Sequence, residues 1–238
     1  MKKFLFAALM LLFAGCLYPL DAQIVKKYAL DVKEFHELEV VDGINVDYEC
    51  NPEKAGQVEF ETTPELAPNI LFEPSNGKLA IKLTTSDYPY RNLPTVRVYS
   101  SYLSKVENSS DSTVRVLGAA GMPVFNAKVI GNGRLVVRNV KATEVKASIV
   151  TGHGTLVIYG KCDKANLKCV GGASFLQADE LEANDVKCSI SGTGTINCYA
   201  LGKLSVSGLG SGTVCYRGNP ELKKSKFSRV KVKSLDTL

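Results

Sequence analysis

The most regular feature of the chain is a repeated alternation of apolar and polar positions. Six segments, SSDSTVRV, IGNGRLVV, VTGHGTLVIYG, VGGASFLQA, ISGTGTINCYA and LGSGTVCYRG, each join a corner of small residues to an alternating strand. With Ser110, Gly131, Gly152, Gly172, Gly192 and Gly210 as corner markers, the separations are 21, 21, 20, 20 and 18 residues. Side chains two apart on a strand share a face. After the corners, Val114, Leu135, Leu156, Leu176, Ile196 and Val214 therefore form one inward column. Val116, Val137, Ile158, Ala178, Cys198 and Tyr216 form a second. Ahead of the corners stand Val129, Ile149, Cys169, Cys188 and Val206 as a third, with Ala127, Ala147, Leu167, Val186 and Leu204 as a fourth. Between the last two lie Lys128, Lys146, Lys168, Lys187 and Ser205, which are expected to face water.

A period this short leaves no room for a helix plus a strand in each repeat. Like residues recurring at a fixed interval bury one another only when each coil stacks on the next, as in a solenoid. The pattern predicts an all-β protein, a right-handed parallel β-helix with coils of about 20 residues. At about 4.8 Å per coil, six coils make a rod of roughly 29 Å. A β-sandwich also alternates, but it does not explain columns of like residues at one period. Glycine at the corners follows from sharp bends that need positive φ or close backbone approach.

Before residue 108 the period fades while strands continue. In FHELEVVDGINVDYE, the residues Leu38, Val40, Ile44, Val46 and Tyr48 alternate around Gly43. VEFET, ILFEPSNGKLAIKLTT and TVRVYSSYL follow, and Ser75-Asn76-Gly77 predicts a hairpin or coil turn. This half is expected to be the irregular start of the same stack and to cap one end. The expected organisation is a signal peptide over 1–22, a β-rich N-terminal half over 23–107, and a repeated half over 108–238 that closes with a capping strand.

Motif order then suggests a family. A leading F-x-x-L-x-V, Gly43-Ile44-Asn45, repeated S-G-x-G corners and Tyr216-Arg217-Gly218-Asn219-Pro220 together resemble the bacterial auto-transporter adhesin head GIN domain family, over about Phe35 to Val232. The corners Ser110-Asp111-Ser112 and Gly172-Ala173-Ser174 depart from that pattern, as does Phe227-Ser228-Arg229-Val230. The resemblance implies a secreted or surface-attached β-helical protein with an adhesive role. It assigns no binding residues.

The N-terminus bears on where the protein works. Lys2 and Lys3 precede an apolar run from Phe4 to Leu17, and Tyr18-Pro19-Leu20-Asp21-Ala22 ends on a small residue, the arrangement of a secretory signal peptide. Cleavage after Ala22 is the favoured route. Phe13-Ala14-Gly15-Cys16 offers the alternative, a lipoprotein anchored through Cys16. No later run approaches the roughly 20 apolar residues of a spanning helix, so no transmembrane segment is expected. The expected location is extracytoplasmic: secreted, on the cell surface, or in the periplasm of a Gram-negative-type envelope.

The 238 residues are 45% hydrophobic and 22% charged, enough for a real core. The formal charge of +5 falls to +4 without residues 1–22, too mild to call for a nucleic-acid partner. The densest basic stretch is Lys223-Lys224-Ser225-Lys226, continuing to Arg229, Lys231 and Lys233. It reads as a lysine-blunted edge strand rather than an anion site.

Little in the sequence suggests catalysis. Of the two histidines, His36 starts a strand, and His153 sits in a corner whose counterparts are Asn132, Ala173, Thr193 and Ser211. Neither zinc-type Cys/His spacing nor a calcium loop is present, so no metal and no cofactor are expected. Gly-x-Gly here precedes strands, not the helix a phosphate loop needs. Asp163, Asp179, Glu180, Glu182 and Asp185 gather in neighbouring coils and support a polysaccharide lyase or hydrolase as the alternative to solvated loop acids. Six cysteines follow Cys16. Cys169 and Cys188, placed one coil apart, are the candidate bridge, with free core thiols favoured. The functional expectation is an adhesin or surface-recognition module without catalysis, its partner an unknown surface glycan or protein. The alternatives are the carbohydrate-active enzyme and a periplasmic scaffold or signalling module.

Overall fold

The structure is a computed structural model that describes residues 24–84, 92–119 and 121–236. The expected signal peptide, with Cys16 and Ala22, lies outside the described residues. Seventeen strands are found among them: β1 (Lys26–Asp31), β2 (Glu37–Val40), β3 (Val46–Cys50), β4 (Gln57–Thr62), β5 (Ile70–Ser75), β6 (Lys78–Leu83), β7 (Val96–Ser100), β8 (Lys105–Asn108), β9 (Thr113–Val116), β10 (Met122–Ile130), β11 (Arg134–Val150), β12 (Thr155–Gly171), β13 (Phe175–Gly192), β14 (Thr195–Gly208), β15 (Thr213–Arg217), β16 (Glu221–Lys224) and β17 (Lys231–Ser234). They make a β-solenoid of about 6 turns.

The long strands β11 to β14 each pass from one coil to the next. In the coil from 165 to 183 the inward residues come in three runs: Ala165, Leu167 and Cys169; then Leu176 and Ala178; then Leu181 and Ala183, all buried. The alternation slips by one position between Ala183 and Val186, which turns the chain onto the next side. Strands of the first kind stack in parallel through β8, β10 and the C-terminal parts of β11, β12, β13 and β14 to β16; we call this the B face. Strands of the second kind stack through β9 and the N-terminal parts of β11 to β14 to β15 and β17, forming the A face.

The first predicted column is a continuous ladder. Val114 pairs with Leu135, Leu135 with Leu156, Leu156 with Leu176, Leu176 with Ile196 and Ile196 with Val214. Every member is fully buried. The column extends beyond the six repeats, to Val232 at one end and to Val46 and Val96 at the other.

One register differs from expectation. Cys169 stacks on Ile190, and Cys188 lies between Leu167 and Val206, two residues from the expected partner. Val186 likewise pairs with Ala165, not Leu167. The corner is one residue shorter in the later coil, since Gly171 pairs with Gly192 while Phe175 pairs with Thr195. Alternation does not detect a slip of two, because both candidate residues point inward.

The N-terminal half enters the stack out of chain order. On the B face β2 lies between β6 and β8, and on the A face β3 lies between β7 and β9. The chain lays down the β2–β3 coil first, adds the β6–β7 coil outside it, and then crosses back to β8 on its other side. The Gly43-Ile44-Asn45 bend secures both neighbours. The Asn45 carbonyl accepts from Val96 N at 2.9 Å and its side-chain Oδ1 accepts from Thr113 N at 2.9 Å. Ile44 is fully buried, and Asp42 Oδ2 accepts from Leu83 N at 2.7 Å.

Beyond this coil the strands turn antiparallel. β5 pairs β6 through a tight turn in which Asn76 and Gly77 have φ of 50° and 76°, as the sequence predicted there. β4 crosses β7, and β1 pairs β4. Tyr28 stacks on Phe60 at 5.2 Å and Phe72 leans on Phe60 at 5.8 Å, an aromatic lid over the end of the core. At the other end β16 and β17 are the last strands of their stacks and carry Lys223, Lys224, Lys231 and Lys233. An edge of that kind disfavours further strand addition.

Candidate recognition surfaces

Because every coil repeats the same alternation, outward side chains also fall into rows along the stack. Two rows dominate the B face. One runs Lys78, Glu37, Lys105, Asn126, Lys146, Asn166, Lys187, Ser205, Lys223. Its neighbour runs Glu39, Glu107, Lys128, Ser148, Lys168, Ser189, Ser207. The lysines expected to face water between the two apolar columns all lie in these rows, divided between them.

Charge differs along the face. Toward the N-terminal end each lysine has an acid: Lys78 meets Glu39 at 2.6 Å, Lys105 meets Glu37 at 3.2 Å, Lys128 meets Glu107 at 3.4 Å, and Lys146 meets Glu144 at 3.7 Å. Among the described residues, Lys168, Lys187 and Lys224 have no ion-pair partner. A shallow basin of about 560 Å³ opens among them, with Lys223 on its rim and Ser189, Ser205 and Ser207 on its floor.

At the far edge of the A face, two tyrosines carry arginines. Arg138 lies over the Tyr159 ring at 5.4 Å, and Arg217 lies over Tyr199 at 5.4 Å while donating to the Asp179 carbonyl at 3.3 Å. The acids considered for catalysis lie around this edge. Glu182 is held by Lys161 at 2.8 Å, and that contact raises the lysine's pKa. Asp179 Oδ1 is buried without a hydrogen-bond partner. Glu180 stands opposite Tyr159, and Asp185 falls in the next row, opposite Lys164 and Lys203. No group of three or more His, Cys, Asp or Glu among the described residues is placed to hold a metal ion.

His153 is exposed, and its backbone N donates to Asn132 Oδ1 at 3.0 Å, one corner braced on the next. His36 stacks on Tyr102 at 5.6 Å and fills the space beside Gly77. Cys162, Cys169, Cys188 and Cys198 are buried, whereas Cys50 and Cys215 are half-buried. Cys188 Sγ lies 3.9 Å from Cys198 Sγ across the core of one coil, and all six described cysteines, Cys169 and Cys188 included, are free thiols. Burial pushes Cys162 and Cys169 up to about 11, and the contact with Cys198, with burial behind it, raises Cys188 well above its ordinary value. At neutral pH these are inert thiols.

The sequence marked Lys168 and Lys187 only as water-facing and Lys223 and Lys224 only as edge lysines. For Lys168, Lys187 and Lys223 the signal is the outward counterpart of the apolar columns, rows read at the same period; Lys224 instead follows Val206 in an apolar column and is exposed at the last strand of the stack.

A family model described as "Putative auto-transporter adhesin, head GIN domain" matches residues 34–220. The chain belongs to this family. Three solved structures share the fold. A "putative adhesin" from Bacteroides fragilis NCTC 9343 is 18% identical, with a TM-score of 0.81 over 90% of this chain and 98% of that one. A "putative adhesin" from Parabacteroides distasonis ATCC 8503 is 18% identical, with a TM-score of 0.73 and coverage of 90% and 98%. A "putative lipid binding protein" from the same organism is 16% identical, with a TM-score of 0.70 and coverage of 89% and 96%. No curated protein matches the chain. No helix among the described residues is long and apolar enough to cross a membrane. In head GIN terms, the out-of-order coil and the six repeats all lie within the matched span, and β17 lies beyond it.

Proposed function

We propose that this head GIN protein is an exported cell-envelope adhesin, a surface-recognition module that binds through its outer coil faces and catalyses nothing. The observation that carries the reading is a rigid stack whose exposed rows repeat coil after coil, in a chain of an adhesin-described family. Such rows suit multipoint attachment to an extended or repeating partner, a glycan or a protein, because each coil adds one equivalent contact. The leader over residues 1–22 supports export, with release after Ala22 or anchoring through Cys16.

Binding by the full chain to an array of glycans and matrix proteins tests the reading. Selective capture without release of products supports it. A blank array, or liberation of oligosaccharides that stops when Asp179, Glu180 and Glu182 are neutralised, overturns it in favour of the scaffold or the enzyme. Protease shaving of intact cells separates a surface protein, which is cleaved, from a periplasmic one.

A further inference from the structure

We propose that the serine-floored basin at the C-terminal end of the B face is a docking groove for a linear anionic polysaccharide, one that carries carboxylate or sulfate groups along its chain. The inference rests on the adhesin reading and gives it a site and a ligand class.

The basin's shape follows from its rungs. Lys168 stacks on Ser189 and Ser189 on Ser207, while Lys187 stacks on Ser205 and Ser205 on Lys223. Short serines between long lysines leave a trough with a cationic rim. The lining holds four lysines, four serines and one asparagine beside Leu167, Cys188 and Val206, and no carboxylate. Asn166, at its edge, is tied to Glu144 at 2.5 Å, and Glu221 is tied to Lys223 at 3.0 Å. The adjacent row, Glu144, Lys164, Asp185, Lys203 and Glu221, alternates in sign, and its Glu221 pairs with Lys223, which leaves Lys168, Lys187 and Lys224 as the basin's uncancelled charges.

Two further observations point to a ligand of this kind. First, the lysines of this face are paired with acids from Lys78 to Lys146, whereas in the basin only Lys223 is paired, with Glu221, and Lys168, Lys187 and Lys224 are not, among the described residues. Unpaired, exposed lysines in a concave site concentrate anions. Second, the side-chain hydroxyls of Ser189, Ser205 and Ser207 make no hydrogen bond within the described residues, so each is free to donate to and accept from sugar hydroxyls and carboxylates.

The geometry favours a single extended chain over other polyanions. Successive rungs lie about 4.8 Å apart, so Lys187 and Lys223 stand about 10 Å apart along the stack, on the scale of a two-sugar repeat. No aromatic side chain lines the basin to stack on nucleobases.

The test titrates the full chain with polygalacturonate, dextran sulfate and neutral dextran at about 0.15 M salt, with short duplex DNA and phosphatidylserine vesicles as further arms. Binding to one or both anionic polysaccharides and not to neutral dextran is expected. Lys168→Gln, Lys187→Gln, Lys223→Gln and Lys224→Gln combined should weaken it by about tenfold or more. Lys26→Gln, Lys33→Gln, Lys231→Gln and Lys233→Gln, which remove the same charge elsewhere, should leave it within about twofold. Ser189→Val with Ser207→Val should weaken it several-fold with every lysine in place. Equal loss in both lysine variants, tighter binding to DNA or vesicles, or no binding to either anionic polysaccharide overturns the groove. If the basin variant still binds its partners on the glycan and matrix array, the groove fails and the adhesin reading stands; a blank array fails both.

Discussion

The two halves of the molecule build the same stack by different means. In the repeated half each coil rests on the coil that preceded it in the chain, so spatial neighbours are 17 to 21 residues apart. In the N-terminal half the β2–β3 coil is held between partners that arrive later: Val46 pairs with Val96 on one side and with Val114 on the other. The first half-stack is local and additive, the second closed by long-range contacts. The comparison shows that a solenoid's regular coils are interchangeable in principle, whereas the coil that joins them to the cap is not.

The strongest way to break that contrast is to delete one coil from each half. Removing residues 152–171 leaves the corner after β11 joined to an equivalent corner, and nearest-neighbour stacking predicts a shorter solenoid that still unfolds cooperatively. Removing residues 37–50 takes out the coil between β6–β7 and β8–β9, whose facing surfaces have no other preformed match, and the fold should be lost. Far-ultraviolet circular dichroism and urea unfolding of the two deletions decide the matter. Two folded deletions, or two unfolded ones, would end the distinction.

Alkaline pH offers a smaller effect with the same polarity. Cys162 and Cys169 lie in the repeated half and are raised by burial to about 11 from an ordinary 9.0. Their neutral form is favoured by folding, so the stabilisation is whole below pH 9 and is lost as pH rises from 9 to 11, where unfolded thiols ionise and buried ones do not. A shift of that size is worth on the order of 2 kcal/mol per thiol. In the N-terminal half the group raised by burial is Tyr48, whose ordinary value of 10.0 places its contribution above pH 10. The urea midpoint should therefore fall between pH 9 and 10, and fall less steeply in Cys162→Ala/Cys169→Ala. An unchanged slope in that variant would remove the thiols from the account.

How far the sequence disclosed this architecture depended on the same contrast. Leu135, Leu156 and Leu176 could be placed on one another because their neighbours recur at the period of the chain. The intercalation of Val46 could not, because its partners lie 50 and 68 residues away, and although Val114 heads the repeat column, Val96 and Val46 itself lie outside the repeat. The Gly43-Ile44-Asn45 motif was visible as a family mark, but that Asn45 bonds to both neighbouring coils emerged only from the fold. Cys188 was placed two residues out of register because corner length varies from coil to coil. The basin was half visible. Lys168 and Lys187 are legible as outward residues and Lys223 and Lys224 as edge lysines, but their meeting on one trough depends on that same register.

Corner substitution sharpens the comparison at lower cost. At Gly192 φ is 141° and a Cβ would overlap the Gly171 carbonyl oxygen. Gly192→Ala should cost about 1–3 kcal/mol through local strain, read as a lower thermal midpoint. At Gly43, in the N-terminal bend, a Cβ would meet nothing within 4 Å. Gly43→Ala should be close to neutral by comparison. A reversal of that order would mean that the coil corners relax more readily than their backbone contacts imply.

The smallest effect lies at the seam itself. Arg115 on β9 grips Asp47 on β3 through Nε at 2.6 Å and Nη2 at 2.9 Å, joining the first repeated coil to the intercalated one. The arginine side chain is 49% exposed, so screening limits the pair to about 1 kcal/mol or less. Arg115→Gln should lower the thermal midpoint by a degree or two at low salt, and the deficit should vanish at about 1 M salt, where the screening length is only about 3 Å. Because the seam's main attachment is backbone pairing and the Asn45 bonds, losing this ion pair should leave the two halves unfolding together. Splitting of the transition into two steps would show instead that surface charge, not backbone intercalation, couples the cap to the repeats.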